Sequence, residues 1–312
     1  MSLRSQVKSQ LQRHPIGTRR LGDALGRVGS ARLAQRLVAA ADIVMVRPPL
    51  NDAHPFAMKL VQGSDQIAAA IAAQGWLGFE RPLPDVFAAL VRAKGGLVLD
   101  VGANTGFYAL VAVSVDPRAE VHAFEPYPPV LDLLHANLTI NTAASRVRVF
   151  EEAVGCERGH AELHIPDPSH GLVETSASLN PVFRVEGERT SVPVTVTTLD
   201  DHIASSGRHA RVGVIKVDVE SLEHEVIAGA SGLLAIDRPY VIVEVLPTSD
   251  IDALEAARAS CGYVDVCLRP HEAVVGSAIA FDPDGWNHLF IPVEALDEGT
   301  ALVGSCGLAV RG

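Results

Sequence analysis

The feature that most constrains the fold is a short apolar run that ends in an acid and continues into a glycine-rich turn. Leu97–Val101 is apolar except for Asp100, and the turn over residues 102–106 leads directly into a helical pattern over Phe107–Val115. Such a run is typical of a strand buried on both faces of a parallel sheet. Glycines in the turn allow tight dihedral angles and let a ligand approach the backbone.

Further apolar runs alternate with helical patterns along the chain. The predicted strands are Glu120–Phe124, Val147–Phe150, Val212–Val219 and Tyr240–Val245, and the predicted helices are Asp85–Lys94, Phe107–Val115, Pro129–Asn141, Leu222–Ala235 and Ile251–Cys261. Strands that alternate with helices imply βαβ units. The sequence therefore predicts an α/β fold with a doubly wound, mostly parallel sheet.

Three departures from this alternation define the predicted organisation. Residues 1–75 read as an α-helical N-terminal extension, and residues 76–312 as the main domain. An insertion at about 156–200 carries two strand-like segments, His160–Ile165 and Val192–Thr198, which predict a β-hairpin. Near the C-terminus, Tyr263–Leu268 and His288–Val293 are expected to form an antiparallel pair.

Charge is distributed unevenly. The net charge is −11, yet residues 1–47 hold nine Lys or Arg and two Asp, a net charge of +7, so the rest of the chain carries −18. An acidic body argues against a nucleic-acid binder. The basic arm is expected to be a helical extension packed on the domain, with a peripheral contact to an acidic membrane surface or a partner protein as the alternative. A homodimer is left open.

The sequence also bears on location. No segment approaches the roughly 20 apolar residues that span a bilayer, and no apolar stretch follows Arg19–Arg20 as an export signal would require. The four cysteines form no C-x-x-C pair. These features predict a cytoplasmic protein with reduced thiols and no transmembrane segment.

The spacing of the turn discriminates between cofactors. A dinucleotide site would show G-x-G-x-x-G, whereas this turn reads G-x-x-x-G and follows Asp100. A carboxylate there would repel a pyrophosphate but suits the cationic amino-acid end of S-adenosylmethionine. Glu125, at the tip of the next strand, is placed to accept hydrogen bonds from two ribose hydroxyls. The predicted cofactor-binding residues are Asp100, Gly102, Asn104, Gly106, Phe107, Tyr108, Glu125, Pro126, Glu152 and Asp218.

Several segments in order resemble the FkbM-type methyltransferases. They are Gly78-Phe-Glu80, Asp100-Val-Gly-Ala-Asn-Thr-Gly106, Phe124-Glu-Pro126, Asn137 with Asn141, Ile215-Lys-Val-Asp-Val-Glu220 with Glu223, Gly229-Ala230, Pro239-Tyr-Val-Ile-Val-Glu244 and Asn287-His-Leu-Phe290. The resemblance covers about residues 76–293. It implies a class I, Rossmann-like methyltransferase fold, S-adenosylmethionine as methyl donor, and O-methylation of a hydroxyl on a polyketide, sugar or glycolipid. One departure is Ser221, where the family pattern D-V-E-G-x-E has glycine; serine does not suit a backbone with positive φ.

Candidate catalytic residues cluster at the end of the fourth strand. Asp218 or His224 is the predicted general base, and Glu220 and Glu244 are expected to orient the acceptor. Lys216 is expected to form a buried ion pair or, alternatively, to lower the pKa of the acceptor hydroxyl. No metal site is predicted, although Asp218 and Glu220 would be the ligands if Mg²⁺ took part.

The insertion is the expected lid over a small-molecule or glycan acceptor, with polar side chains at His164, His170, Ser176, Asn180 and Arg184. Two other functions compete with methyl transfer to a hydroxyl. One is an NAD-dependent oxidoreductase or epimerase, and the other is a non-catalytic interaction module of the same fold. Methylation of nucleic acid or protein lacks an N-P-P-Y-type motif.

Overall fold

The computed structural model describes residues 43–60, 65–143, 145–166, 176–181, 189–207 and 210–312. Within these residues the strands, numbered in chain order, are β1 (Ile43–Val46), β2 (Phe56–Lys59), β3 (Leu97–Val101), β4 (Glu120–Phe124), β5 (Val147–Phe150), β6 (Ala153–Val154), β7 (Gly159–Pro166), β8 (Arg189–Thr197), β9 (Val212–Val217), β10 (Tyr240–Glu244), β11 (Tyr263–Leu268), β12 (Glu272–Gly276), β13 (Asn287–Pro292) and β14 (Ala309–Arg311).

The helices of the same residues are α1 (Gln66–Gln74), α2 (Leu83–Lys94), α3 (Phe107–Val115), α4 (Pro128–Ile140), α5 (Leu199–Ser205), α6 (Glu223–Ala228), α7 (Ser231–Asp237), α8 (Ile251–Ser260) and α9 (Leu296–Ser305), with a 3₁₀ turn over Val293–Ala295. In the described part of the chain, none of the helices combines the length and apolar character that a bilayer span requires.

A nine-stranded sheet organises the fold, with strand order β5-β4-β3-β9-β10-β13-β11-β12-β14. Neighbouring strands from β5 to β10 are parallel, and β13 runs antiparallel to both β10 and β11. The chain reverses its direction of winding between β3 and β9, which is the switch point where doubly wound sheets bind ligands. The predicted doubly wound, mostly parallel sheet and the antiparallel C-terminal pair are confirmed.

Apolar side chains are buried on both faces of this sheet. On one face, α2 and α3 pack with β1, β2 and α1, and every residue of α3 is buried. On the other face, α5, α6, α7 and α8 cover β9 and β10. Burial on both faces explains why β3 and β9 consist almost entirely of apolar residues.

The stretch before residue 76 differs from its predicted helical character. Ile43–Val46 and Phe56–Lys59 form an antiparallel pair, and only Gln66–Gln74 is helical. The helix prediction for the two strand segments is wrong because a distant element holds them: the Asn141 side chain bonds both backbone groups of Ala57, and Asn137 Oδ1 accepts from Lys59 N at 2.7 Å. Most of the basic arm, residues 1–42, lies outside the described residues, so its role stays a prediction.

Two predicted boundaries change for physical reasons. The predicted helix Leu222–Ala235 is split into α6 and α7, because Gly229 packs against the main chain of Gly155 and the Asp200 carboxylate accepts from the first-turn amides of α7. The edge strand β14, its neighbour β12, and helices α5 and α9 were not predicted. The insertion is confirmed as a hairpin: β7 pairs antiparallel with β8, and β6 adds a third strand.

Candidate active site

Backbone hydrogen bonds hold the carboxyl ends of the central strands together. The amides of Gly102 and Ala103 both donate to the carbonyl of Phe124, at the tip of β4. The amide of Asp218 donates to the carbonyl of Val101, and that of Glu125 to Phe150. The chain segments that follow β3, β4, β5 and β9 therefore start from one rigid edge of the sheet.

A cleft with a cavity volume of about 180 Å³ lies over this edge and opens to solvent. Predicted site residues that line the cleft are Gly102, Asn104, Glu125, Pro126, Glu152, Asp218, Glu220 and Glu244. Predicted residues that do not line it are Asp100, Gly106, Phe107, Tyr108, Lys216 and His224.

The glycine-rich turn requires glycine at its first position. Gly102 has φ of +75°, and a Cβ atom there would lie 1.8 Å from the carbonyl oxygen of Asp218. Asn104, with φ of +52°, bonds its own turn, because its side-chain oxygen accepts from Thr105 N at 2.9 Å. The turn thus brings bare backbone against the loop after β9, which leaves room for a ligand above both.

Glu125 lies at the tip of β4 with its carboxylate fixed by backbone amides. One oxygen accepts from Asn104 N at 3.0 Å and the other from Tyr127 N at 2.9 Å. Burial raises the pKa of Glu125 to about 7, against the lowering effect of these two bonds. The fixed orientation and the position in the cleft fit the predicted role as acceptor for two ribose hydroxyls.

Asp100 is placed differently from the expectation. Its side chain is only 1% exposed, does not line the cleft, and has no hydrogen bond of good geometry among the described residues. Burial raises its pKa to about 6, while the nearby Lys216 opposes that shift. Contact between Asp100 and the amino-acid end of a methyl donor therefore stays a prediction; in the structure its charge acts on Lys216, its neighbour across the β3–β9 ladder.

Lys216 forms the expected buried ion pair. Its ammonium lies 2.8 Å from Asp218 Oδ2, and the lysine side chain is 4% exposed whereas that of Asp218 is 33% exposed. Nζ also lies 4.7 Å from the ring centroid of Tyr108. The three carboxylates of Asp218, Asp100 and Glu80 raise the pKa of Lys216 in spite of its burial. Lys216 thus supports Asp218 from beneath the cleft.

Phe107 and Tyr108 serve the core rather than the cleft. The Phe107 ring packs against Phe56, Trp76 and Phe79 with centroid separations of 5.9, 6.1 and 5.0 Å. Tyr108 is buried with its hydroxyl directed at Glu80. The prediction of cofactor contacts by these two side chains is corrected, because the first turn of α3 is covered by the N-terminal segments.

His224 does not lie in the cleft, where it was predicted to act as the general base. It is half-buried on α6 and does not line the cleft, so it is not positioned as the general base. Its neighbour Glu223 is buried and accepts from the amides of Val219 and Ser221 at 3.2 and 3.3 Å. Burial raises the pKa of Glu223 to about 7.

Ser221 adopts the backbone geometry that the family pattern gives to glycine. Its φ is +84°, and Glu220 before it has φ of +59°. The Ser221 hydroxyl is hydrogen-bonded to that of Thr248, and Glu223 holds its amide. The turn is therefore retained in spite of the substitution.

Several residues of the cleft were not predicted as site residues, and Glu80 and Ser178 are among them. Glu80 lines the cleft and is exposed there, and its carboxylate accepts from the Tyr108 hydroxyl. Its presence in the Gly78-Phe-Glu80 motif was the available signal. Ser178 of the insertion lines the cleft and donates to the carbonyl of Glu220 at 2.7 Å; no local pattern marks it.

The polar lid residues of the insertion divide into three groups. His170 and Arg184 lie outside the described residues. His164 pairs through its main chain with Ser178, which fixes the segment over the cleft. Ser176 and Asn180 flank the lining residues Ala177, Ser178 and Leu179, so the described part of the insertion lines the cleft, and its role as a lid over the acceptor stays a prediction.

Comparison with known proteins agrees with this geometry. The sequence model described as the methyltransferase FkbM domain matches residues 100–264, just over half of the chain. The 31-O-demethyl-FK506 methyltransferase FkbM of Streptomyces tacrolimicus is 30% identical over 199 residues, which cover 57% of this chain and 72% of that protein. The 2-O-methyltransferase NoeI of Sinorhizobium fredii is 28% identical over 160 residues, which cover 48% of this chain and 63% of that protein.

Among solved structures, the methyltransferase FkbM from Methylobacillus flagellatus KT aligns with a TM-score of 0.42 and 17% identity, over 63% of this chain and 44% of that one. The strand order and the cleft at the switch point define a class I methyltransferase. The chain belongs to the FkbM methyltransferase family. It is thus an S-adenosylmethionine-dependent methyltransferase, which excludes the oxidoreductase and the non-catalytic module as its primary function.

Proposed function

We propose that the protein methylates a hydroxyl group of a glycan, glycolipid or polyketide-like small molecule. The observation that carries this proposal is the convergence of Gly102, Glu125 and Asp218 on one cleft at the carboxyl ends of the central strands. Support for an oxygen acceptor comes from the relatives whose names describe a 31-O-demethyl-FK506 methyltransferase and a 2-O-methyltransferase.

The donor side of the cleft fits S-adenosylmethionine. Glu125 would accept from the ribose hydroxyls, the bare backbone of Gly102 leaves room for the chain between ribose and sulfur, and Glu152 lies where the adenine edge is expected. The cofactor supplies a methyl group already activated on a sulfonium. The protein therefore needs to position the acceptor and take its proton.

Asp218 is the proposed general base. It is the carboxylate at the tip of β9 that lines the cleft, and Lys216 fixes one of its oxygens, which leaves the other for the acceptor. Asp218 would take the hydroxyl proton as the acceptor oxygen forms its bond to the methyl carbon, and the bound donor would supply that methyl group and leave as the neutral thioether. Proton transfer of this kind contributes about 10²–10⁴-fold to a rate.

Glu244 has a complementary role. It lies at the tip of β10 in the same cleft, and burial together with the charges of Asp218 and Glu220 raises its pKa. A carboxyl group that stays protonated at neutral pH donates a hydrogen bond, whereas its ionised neighbour accepts one. We therefore assign Glu244 to holding a second acceptor oxygen, with Glu220 beside it.

A metal is not required by this scheme. Among the described residues, no group of three His, Cys, Asp or Glu side chains is arranged to hold a metal ion. Because Lys216 already bonds Asp218, a Mg²⁺ ion at Asp218 and Glu220 would have to compete with an ammonium. Retained activity in EDTA would support the metal-free scheme, and restoration by Mg²⁺ alone would replace it.

The proposal is tested by calorimetric titration with S-adenosylhomocysteine and, separately, NADH, followed by methyl-transfer assays on hydroxylated acceptors. Saturable binding of S-adenosylhomocysteine without NADH binding, and transfer abolished by Asp218→Asn, would support it. Binding of neither ligand, or methylation of amine acceptors alone, would refute it.

A further inference from the structure

The cleft has an unusual charge. Its lining includes six carboxyl groups and, among the described residues, no Lys, Arg or His side chain: Glu80, Glu125, Glu152, Asp218, Glu220 and Glu244. Lys216 lies beneath the cleft and is bonded to Asp218. One ammonium cannot balance this set, so the space above the strands favours a cationic ligand over a neutral one of the same shape.

Glu80 is a cleft carboxylate whose position is set by a neutral side chain on the helix that follows the glycine-rich turn. Asp218 is paired with Lys216, and Glu125 is fixed by two backbone amides at the proposed ribose position. The partner of Glu80 is the neutral hydroxyl of Tyr108, which orients the carboxylate without cancelling its charge. Glu80 as a whole is an exposed residue that lines the cleft, but its carboxylate is shielded from water beside the Tyr108 hydroxyl; Asp100 is fully buried.

The backbone around Glu80 also fixes its position. Glu80 has φ of +45°, and its carbonyl accepts from Leu83 N at 2.8 Å at the start of α2. Phe79, the residue before it, is buried against the Phe107 ring. The carboxylate is therefore held beside the glycine-rich turn by contacts on both sides.

We propose that Glu80 is a specificity-determining residue, which makes the cleft prefer the cationic methyl donor over its neutral thioether product. This inference rests on the proposed function. S-Adenosylmethionine and S-adenosylhomocysteine share their adenosine and amino-acid groups and differ by one methyl group and its positive charge. A carboxylate held in the cleft attracts only the donor through that charge, so methyl transfer itself weakens the attraction and favours product release.

The size of the effect follows from Coulomb attraction. Between a fixed carboxylate and a unit positive charge several ångströms away, at an effective dielectric near that of a protein surface, the attraction corresponds to about a tenfold change in affinity after solvent screening. Burial raises the pKa of Glu80, with Lys216 opposing. A cationic ligand favours the ionised form further, whereas the neutral product does not.

The experiment is calorimetric titration of the full chain with S-adenosylmethionine and with S-adenosylhomocysteine, each without acceptor. Glu80→Gln removes the charge and keeps an oxygen that accepts from Tyr108. We expect it to lower affinity for the donor about tenfold and affinity for the product less than twofold. Glu152→Gln is the matched control, because it removes a charge at the proposed adenine end of the same cleft, away from the sulfonium, and it should change both affinities by the same factor.

Glu80→Asp provides a second variant that keeps the charge, and it should retain most of the preference for the donor. Circular dichroism and thermal unfolding of each variant show whether it is folded. The inference would be overturned if Glu80→Gln lowered the affinities for donor and product by the same factor. It would also be overturned if Glu80→Asp lost as much of the preference for the donor as Glu80→Gln does. Failure of the unaltered protein to bind either ligand would instead overturn the proposed function.

Discussion

The buried pair His122 and His202 makes stability depend on pH in a way that can be isolated. His122, on β4, lies with its Nδ1 2.8 Å from Nε2 of His202, on α5, and the two residues are 4% and 6% exposed. The His202 ring packs against Phe150 and Phe124 at centroid separations of 4.5 and 4.8 Å. Burial lowers the pKa of both imidazoles to about 4.

The sign of the effect follows from proton linkage. The unfolded chain binds protons at these two side chains near pH 6.5, whereas the folded chain binds them only near pH 4. Stability from the pair is fully present above pH 6.5 and is lost as pH falls toward 4. At pH 5, a histidine whose pKa is shifted by this much lowers the free energy of unfolding by about 2 kcal/mol relative to pH 7.5. The pair therefore lowers it by about 2–4 kcal/mol.

Other groups shift stability in the opposite direction. Burial raises the pKa of Asp100 to about 6 and those of Glu125 and Glu223 to about 7. Because their folded pKa values lie above the unfolded ones, stability falls as pH rises through this range. A pH profile of the unaltered protein therefore mixes both signs, and only the difference between two proteins isolates the histidines.

The perturbation is His122→Asn together with His202→Gln, which places non-titrating amides near the two bonded nitrogens. Urea unfolding at pH 7.5, 6.5, 5.5 and 5.0 gives the free energy of unfolding of each protein. We expect the double variant to be less stable at pH 7.5, because ring contacts are lost, but to lose about 2–4 kcal/mol less than the unaltered protein on going to pH 5. His135→Gln, at an exposed position on α4, is the control. Parallel profiles for the double variant and the unaltered protein would refute the reasoning.

Three further predictions concern the cleft. Asp218→Asn should lower kcat at least about 100-fold while calorimetric affinity for S-adenosylhomocysteine changes less than threefold, because the base is lost and its volume is kept; an unchanged kcat would contradict this. Glu125→Gln should weaken S-adenosylhomocysteine binding by about 10–100-fold, since its amide nitrogen would face the N–H of Asn104 or Tyr127; unaltered affinity would exclude the ribose role. Ser178→Ala should raise KM for the acceptor about three- to tenfold, with little change in thermal stability, because it removes the bond to the Glu220 carbonyl; a change confined to kcat would count against it.

The central strands could be predicted from sequence because burial on both faces leaves a pattern that depends on no distant partner. Leu97–Val101 and Tyr240–Glu244 are apolar except for Asp100 and Glu244 for that reason. The strand pair Ile43–Val46 and Phe56–Lys59 carries no such signal. Its backbone is held by Asn137 and Asn141, about 80 residues further along the chain.

The sequence predicted which strand ends form the site, but it did not predict which side chains there face the cleft. The ends of β3, β4, β9 and β10 were located correctly, and eight predicted residues line the cleft there. Whether an acid at a strand end faces the ligand or the core depends on which neighbours bury it. Asp100 turns toward Lys216, a pairing set by the β3–β9 register, whereas Glu80 reaches the cleft from a turn outside the family match.

The departure at Ser221 shows how contacts from several segments can offset local strain. A positive φ at a residue other than glycine costs about 1–2 kcal/mol. Against this, the Glu223 carboxylate accepts from Ser221 N, and the Ser221 hydroxyl bonds Thr248, each such bond contributing about 0.5–1.5 kcal/mol. Thr248 follows β10, which carries Glu244, and Glu223 begins α6, so the two bonds tie the turn to the segment after β10 and to the start of α6. Serine is therefore compatible with the geometry of the family, and its presence does not argue against catalysis.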